Sequence, residues 1–345
     1  MKAVTLPLYI CIAFLLTSCV EKPKDVMMHT NTGYALGTTY SIKYEVQNEK
    51  EDYKNDIENV FHEVNQSMSA YIPTSDISRI NRGETDVIID DYFRTVYDFS
   101  REVYEKTEGY FDPSVGALVN AWGFGPEKPI NNLTKKQVDS IMAFTGFNKV
   151  KISKEGKVYK EHPSLTFDFN SLGKGYAIDL IGKMFDKKGI KNYIIEVGGE
   201  ILTKGKNTQK VKKWMVAIDS PVQDGNERQY IEVIRLENKA MATSGNYRKF
   251  RVDPETGDHY VHILNAKTGY PMKNNVLSVS VVADNCMKAD AYATAFMVMP
   301  YEKTKQLLSE LKDVDAYIVS RDQYGNIQKY TTNGFQELIV KSPQE

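Results

Sequence analysis

Short runs of alternating apolar and polar residues restrict the fold of this chain more than any other feature. The clearest run, VLSVSVVA at residues 276–283, predicts a β-strand. Similar runs predict strands at residues 37–46, 147–152, 157–160, 164–169, 192–197, 214–221, 230–237 and 241–250. Several of these runs are spaced like hairpins, and helical periodicity occurs between them irregularly. This arrangement favours an α+β fold over a doubly wound parallel sheet.

Apolar residues at helical spacing predict the helices. They lie at residues 51–68, 90–109, 134–146, around 173–188, near Asp290, and at 301–312, with a last hairpin after them. Thr134 is the predicted N-cap of the third helix. No shift in composition divides residues 31–342, so we expect a single domain. The net charge of −1 gives no general attraction to nucleic acid, and we expect no nucleic-acid partner.

The N-terminus has the pattern of an exported protein. Lys2 precedes an apolar run that is typical of a signal peptide, here residues 1–18. The run ends in LTSC, residues 16–19, which resembles a bacterial lipobox with Cys19 as the lipidated residue. A plain secretory signal with a chance cysteine is the alternative. Residues 19–30 then form a predicted tether, and acyl chains on Cys19 would anchor the protein to a lipid bilayer without a spanning helix.

The cysteine content fits this interpretation. Cys11 would be removed with the signal and Cys19 would carry lipid, which leaves Cys286 alone in the mature chain. An intrachain disulfide is therefore excluded, even in an oxidising compartment.

The common nucleotide and metal motifs do not occur in the sequence. It contains neither a phosphate-binding GxxxxGK[ST] loop nor a GxGxxG fingerprint, and it has no CxxC, HExxH or GxSxG motif. The absence of CxxC and HExxH argues against a zinc site, and any nucleotide must be bound by other residues.

ADAYATAF, residues 289–296, carries two oxygen donors on a predicted helix. Asp290 and Thr294 are four residues apart and so share one helix face. A carboxylate and a hydroxyl are ligands that Mg²⁺ accepts together with phosphates and water. The same pair also fits a purely structural role, with Asp290 near a helix start and Thr294 bonded to a backbone carbonyl.

Five further segments are candidates for binding, and each also has a structural interpretation. DFNSLGKGYAIDL (168–180) combines a turn, a helix start and a lysine, which suits an anion. EVGGE (196–200) and TSGNY (243–247) offer turn backbone, and AWGFG (121–125) offers a ring for stacking. His262, predicted on a strand, is a candidate base. Tight packing, polar turns or core side chains are the alternative explanation of each segment by itself.

The order of these motifs along the chain resembles that of the ApbE family of FAD:protein FMN transferases. The quoted matches are Gly37-Thr38-Thr39-Tyr40, MSAYIPTSDISRIN (68–81), FDPSVGALVNAWGFG (111–125), DFNSLGKGYAIDL, EVGGE, TSGNY, HILNAKTGYP (262–271) and ADAYAT. The resemblance covers about residues 33–340. It implies an FAD cleft between two lobes and Mg²⁺-dependent transfer of FMN from FAD to a threonine of a partner protein, with release of AMP. Partners in the family include subunits of membrane redox complexes.

The resemblance also implies roles for individual residues. His262 would be the catalytic base, and Asp290, Thr294 and the Gly173 carbonyl would bind Mg²⁺. FAD contacts would come from Leu36, Tyr71, Ala121, Trp122, Gly123, Asn170, Lys174, Tyr176, Gly198, Gly199, Thr243, Ser244 and Leu264. Many members are lipoproteins on the periplasmic face of the bacterial inner membrane, which is the expected location here.

The sequence departs from the family pattern in three places. Asn265-Ala266 replaces the usual Asp-Pro, Gly173 replaces an alanine, and Leu36 replaces a methionine.

Two alternative functions stay open, namely hydrolysis of FAD to FMN and AMP, and FAD binding without catalysis. The same metal and base would serve either transfer or hydrolysis, so the sequence does not separate these two.

Overall fold

The computed structural model describes residues 26–48, 50–222, 229–246, 250–252, 259–272 and 275–340. The predicted signal peptide and Cys19 therefore lie outside the described residues. No helix within these ranges is both long enough and apolar enough to cross a bilayer.

An antiparallel sheet organises the molecule. The strands in chain order are β1 (Met27–Ala35), β2 (Thr38–Val46), β3 (Val150–Ile152), β4 (Val158–Lys160), β5 (Tyr193–Val197), β6 (Glu200–Lys204), β7 (Lys206–Asn207), β8 (Lys212–Asp219), β9 (Tyr230–Leu236), β10 (Ala240–Gly245), β11 (Phe250–Val252), β12 (His259–Val261), β13 (Leu264–Asn265), β14 (Tyr270–Pro271), β15 (Val276–Ala283), β16 (Val314–Arg321) and β17 (Ile327–Thr331). Eight of them form one sheet in the order β1-β2-β5-β6-β10-β15-β16-β17. Every neighbouring pair in it is antiparallel.

Helices lie on both faces of this sheet. They are α1 (Lys54–Met68), α2 (Asp76–Asn81), α3 (Asp91–Lys106), α4 (Gly116–Ala121), α5 (Lys135–Phe144), α6 (Gly173–Lys187), α7 (Cys286–Val298), α8 (Tyr301–Glu310) and α9 (Asn333–Leu338). Thr134 and Gln137 form the capping box that starts α5, which confirms the predicted N-cap.

The two faces of the sheet build two separate cores. Because side chains alternate along a strand, Val279 and Val281 of β15 face α7 whereas Val282 faces the opposite layer. That opposite layer consists of β8, β9 and α9, with Ile218, Ile234 and Phe335 in its core. The central strand β15 is thus covered on both sides. The predicted single α+β domain of mixed helices and antiparallel sheets is confirmed.

Two predicted segments differ from the structure. β1 begins at Met27, so residues 27–30 belong to the sheet and not to the predicted tether of residues 19–30. Residues 164–169 are not a strand, apart from one isolated bridge between Val115 and Thr166. The side chain of Asn81 bonds both the amide and the carbonyl of Phe167 at 2.8 and 2.9 Å. This backbone is therefore satisfied without a neighbouring strand.

Candidate active site

The starts of α6 and α7 are packed against each other under the central strands. A Cβ added to Gly175 would lie 2.5 Å from the Cys286 carbonyl oxygen, so only glycine allows this approach. Asp179 on α6 accepts hydrogen bonds from the amides of Cys286 and Met287 at 2.7 and 2.9 Å. Asn285 accepts from the next amide, that of Lys288. The free amides at the start of α7 are thus bonded, and α6 positions α7.

Asp290 and Thr294 lie on α7, as predicted. Asp290 is only 3% exposed, and one carboxylate oxygen accepts from the Gly175 amide at 3.3 Å. The Thr294 hydroxyl lies 3.4 Å from that of Ser244 on β10. The pair therefore presents its oxygens towards the start of α6 and the end of β10.

Lys174 and Glu200 add charges of both signs beside Asp290. Lys174 Nζ lies 3.5 Å from Glu200 Oε1, and the Glu200 side chain is almost fully buried. Burial lowers the pKa of Lys174, but attraction to Glu200 and Asp290 is greater and leaves it above its ordinary value. Lys174 is therefore a stable cation between two carboxylates.

The site opposes the ionisation of Asp290. Burial and the nearby Glu200 charge raise the pKa of Asp290, Lys174 and the Gly175 hydrogen bond lower it, and the net pKa is about 7. Two buried carboxyl groups face a single lysine, so another cation beside Asp290 would favour the ionised form.

Two tight hairpin turns lie next to each other beside this cluster. Leu36 and Gly37 turn β1 into β2, and Gly198 and Gly199 turn β5 into β6, all four with positive φ. A Cβ on Gly198 would lie 2.7 Å from the Thr38 side chain. The second turn leads directly into Glu200, so the predicted glycines position that carboxylate.

Asp168 connects three predicted FAD contacts, because it interacts with Tyr71, Asn170 and Lys174. Burial raises the pKa of Tyr71, and the charge of Asp168 adds to the rise. Asp168 accepts from the Asn170 amide at 2.7 Å. Burial raises the pKa of Asp168, and the Asn170 hydrogen bonds and the Lys174 charge offset only part of this rise. Because Tyr71 is 55% exposed, its ring is available to a planar ligand.

The AWGFG segment is bonded to both neighbouring loops. The Trp122 indole donates to the Gly269 carbonyl at 2.8 Å, and Tyr71 donates to the Phe124 carbonyl at 3.1 Å. Ala121 is buried at the end of α4, and Gly123 has a positive φ in the turn that follows. This segment therefore links Tyr71 to the loop after β13.

Three of the predicted FAD contacts lie away from the Asp290 cluster. Thr243 faces away from α7, since Ser244 faces towards it, and it bonds Ser280 at 2.8 Å. Tyr176 is buried against Tyr92, about 200° around α6 from Lys174. Leu264 is buried in a small core with Leu118 and Val138. The structure does not bring these three side chains to the Asp290 cluster.

His262 and Gly173 complete the predicted set. His262 lies in the bend between β12 and β13, partly exposed, and not on a strand as predicted. Gly173 begins α6, and a Cβ there would meet only Met68 Sδ at 4.0 Å. In the loop after β13, Asn265 accepts from the amides of Lys267, Thr268 and Gly269. Asn265 thus stabilises the turn where the family pattern has aspartate.

The sequence reasoning did not assign Glu200, Asp179 or Asp168. Glu200 and Asp168 stand within quoted motifs. Glu200 follows a tight turn and Asp168 precedes one, and this position beside a turn could have indicated both residues. Asp179 stands in the same quoted motif as Asp168, but nothing local indicated its role, because its amide partners are 107 and 108 residues away.

The donor set suits a hard divalent cation. Among the described residues there is no cluster of three or more His, Cys, Asp or Glu side chains that would bind a metal by themselves. One buried carboxylate and nearby hydroxyls leave coordination positions for phosphate oxygens and water, which is the usual way that proteins bind Mg²⁺.

Comparisons with known proteins show the family to which the chain belongs. The sequence model described as the ApbE family matches residues 36–318. A Vibrio cholerae protein named FAD:protein FMN transferase is 35% identical, covering 95% of this chain and 96% of its own. A Haemophilus influenzae protein of the same name is 32% identical, covering 95% of this chain and 96% of its own.

Solved structures give the same result. The flavin transferase ApbE from Vibrio cholerae has a TM-score of 0.81 and 32% identity, covering 91% of this chain and 99% of that one. The apo flavinyl transferase ApbE from Pseudomonas stutzeri has a TM-score of 0.79 and 26% identity, covering 92% and 98%. Fold and site thus define an α+β enzyme of the transferase class. The chain belongs to the ApbE family, which confirms the predicted resemblance.

Proposed function

We propose that this chain transfers FMN from FAD to a threonine hydroxyl of a partner protein. The threonine oxygen attacks the phosphorus of the FMN half, and the bond from that phosphorus to the bridging oxygen breaks. The products are a threonine phosphoester of FMN and AMP, and the hydroxyl proton passes to His262. The names of the relatives support flavin transfer to a protein, and the threonine, AMP and Mg²⁺ are parts of the proposal.

The observation that carries the proposal is the meeting of Asp290, Thr294, Ser244 and the Lys174–Glu200 pair at the start of α6. A diphosphate needs positive charge and positioned donors. Lys174 supplies the charge, and the start of α6 supplies backbone dipoles that favour an anion. Tyr71 and Trp122 would contact the isoalloxazine or adenine ring.

Mg²⁺ fits the same residues. Asp290, Thr294 and the Gly173 carbonyl would hold the ion, which would neutralise charge that develops on the diphosphate. Glu200 holds Lys174 in position, and the Gly175 amide orients the Asp290 carboxylate. Burial of this cluster strengthens each of these interactions.

The proposed location is the periplasmic face of the bacterial inner membrane, with acylated Cys19 as the anchor. The observation behind it is the LTSC sequence before a short polar segment. Mass spectrometry of the mature N-terminus tests the anchor, since a diacylglycerol adduct is expected on Cys19. A mature chain that starts elsewhere, with no adduct, would contradict it.

One experiment separates transfer from the alternative of hydrolysis. The purified chain is incubated with FAD and Mg²⁺, with and without a redox subunit that carries an acceptor threonine. We expect AMP to form in amounts equal to FMN-modified threonine, and little AMP without the acceptor. If AMP and free FMN form at the same rate in both reactions, the chain is a hydrolase. If FAD binds but is not converted, the chain is a non-catalytic FAD-binding protein.

A further inference from the structure

We propose that the hairpin of residues 204–213 is a surface that contacts anionic phospholipid headgroups. We call this segment the basic hairpin. It comprises the end of β6, all of β7, a turn, and the start of β8. The inference rests on the proposed anchoring through Cys19 and assigns a defined orientation to the anchored enzyme.

The charge of the basic hairpin is strongly positive. Five of its ten residues are lysines, at positions 204, 206, 210, 212 and 213, and it has no acidic residue. Asp186 pairs with Lys204, and Glu237 pairs with Lys213. Lys206, Lys210 and Lys212 are exposed and form no ion pair with any acidic side chain that the structure describes. Three positive charges therefore face solvent together.

The local structure of the basic hairpin is unfavourable in water. Lys206 lies directly opposite Lys213 in the β7–β8 ladder, and like charges at such positions destabilise a hairpin. At its turn, Val211 is 76% exposed and has a φ of 49°, which a β-branched residue rarely adopts. A partner that is both anionic and apolar would offset the repulsion between the lysines and cover the exposed Val211 side chain, and a bilayer surface has both properties.

The basic hairpin lies where the tether enters the fold. Met27 and Met28, at the start of β1, pair with Val46 and Glu45 on β2. Glu45 in turn accepts a hydrogen bond from the Thr208 hydroxyl of the basic hairpin at 2.7 Å. One carboxylate thus joins the root of the tether to this hairpin.

The tether is too short to let the molecule turn freely. Residues 19–26 reach at most about 29 Å, at about 3.6 Å per extended residue. A folded chain of this length has a radius of gyration of about 20 Å, so its diameter exceeds the tether. The end of the molecule where the tether joins β1 at Met27 therefore stays near the bilayer. Each exposed lysine close to an anionic surface then contributes about 1 kcal/mol to docking.

Site-specific fluorescence on the acylated full-length chain tests the proposal. A probe is attached to a single cysteine introduced as Val211→Cys, since Cys286 is buried and Cys19 would be acylated. The matched position is Tyr324→Cys, which is 80% exposed on the β16–β17 turn. β17 is seven strands from β1, about 34 Å across the sheet. The vesicles are made of phosphatidylglycerol or of phosphatidylcholine. Both kinds carry a quencher that is linked to lipid headgroups.

We expect strong quenching at position 211 in phosphatidylglycerol, weak quenching in phosphatidylcholine, and weak quenching at position 324 in both. Charge reversal of Lys206, Lys210 and Lys212 to Glu should lower the docked-to-undocked ratio at least about 100-fold, from about 1 kcal/mol per lysine. Reversal of the exposed Lys128, Lys136 and Lys154 should leave it unchanged. Equal quenching at 211 and 324, or no effect of the first triple variant, would overturn the proposal.

Vesicle flotation separates this proposal from the anchor on which it rests. A chain that floats with both lipids, with equal quenching at the two positions, keeps the anchor and refutes the basic hairpin. A chain that floats with neither lipid refutes both. Loss of acceptor modification in solution, in the triple Glu variant only, would instead assign the basic hairpin to the acceptor protein and refute membrane contact.

Discussion

Gly175→Ala is the substitution that most directly tests the packing of the site. Gly175 allows the starts of α6 and α7 to touch, and its amide bonds Asp290. An alanine Cβ there would lie 2.5, 2.7 and 2.8 Å from backbone atoms of Cys286 and Met287. Backbone cannot rotate away as a side chain can, so α7 must move.

The magnitude follows from these distances. Ordinary contact begins near 3.4 Å, so relief of the shortest contact, at 2.5 Å, requires the two helices to separate by about 0.9 Å. Such overpacking costs about 3 kcal/mol at the upper end of the usual range. The better helix propensity of alanine offsets about 1 kcal/mol. The expected net loss of unfolding free energy is about 2 kcal/mol.

Gly173→Ala is the matched control, because its Cβ would meet only Met68 Sδ at 4.0 Å. It adds the same methyl group to the same helix without a clash. Urea unfolding should rank Gly173→Ala at or above the wild type and Gly175→Ala about 2 kcal/mol below it. Flavin transfer should fall in Gly175→Ala alone, since Asp290 is displaced with α7. Equal stability of the two variants would refute the close-packing argument.

Three further substitutions test single contacts. Asp179→Ala removes the acceptor for two amides at the start of α7 and should cost about 2 kcal/mol in urea unfolding; no loss would show that water replaces the carboxylate. Lys160→Met removes donation at 2.8 Å to the carbonyls of Ile80 and Leu165 and should cost about 1–3 kcal/mol by thermal unfolding, whereas the exposed Lys157→Met should cost almost nothing. Thr294→Val keeps the shape of the side chain, so stability should change by less than about 1 kcal/mol while Mg²⁺ affinity measured by calorimetry falls about 10-fold or more; unchanged affinity would remove Thr294 from the metal site.

Local patterns predicted much of the fold. The Thr134 cap, the β15 strand and the helix of Asp290 each follow from residues within one or two turns. Residues 164–169 failed because Asn81, far away in the chain, satisfies the backbone of Phe167. A sequence pattern shows that a segment is apolar, but not which group will bond its amides.

The candidate site was predicted with the same limitation. Motif order identified Asp290, Thr294, Lys174 and Ser244, which the structure brings together. Thr243 was assigned with its neighbour Ser244, although adjacent residues of a strand face opposite sides. Glu200 was overlooked because its importance depends on Lys174 on another element. The sequence therefore did not show which face of each strand or helix lies towards the site.

The central claim is that Asp290 and Thr294 bind a divalent cation beside the FAD diphosphate. Electron paramagnetic resonance of Mn²⁺, titrated into the FAD-bound chain, measures this binding directly for wild type, Asp290→Asn and the half-exposed control Asp313→Asn, whose carboxylate pairs with Lys288. Asp290→Asn mimics the neutral carboxyl and should fold normally. We predict at least about 100-fold weaker Mn²⁺ binding for Asp290→Asn and no change for Asp313→Asn. Equal Mn²⁺ affinity in all three proteins would contradict the account.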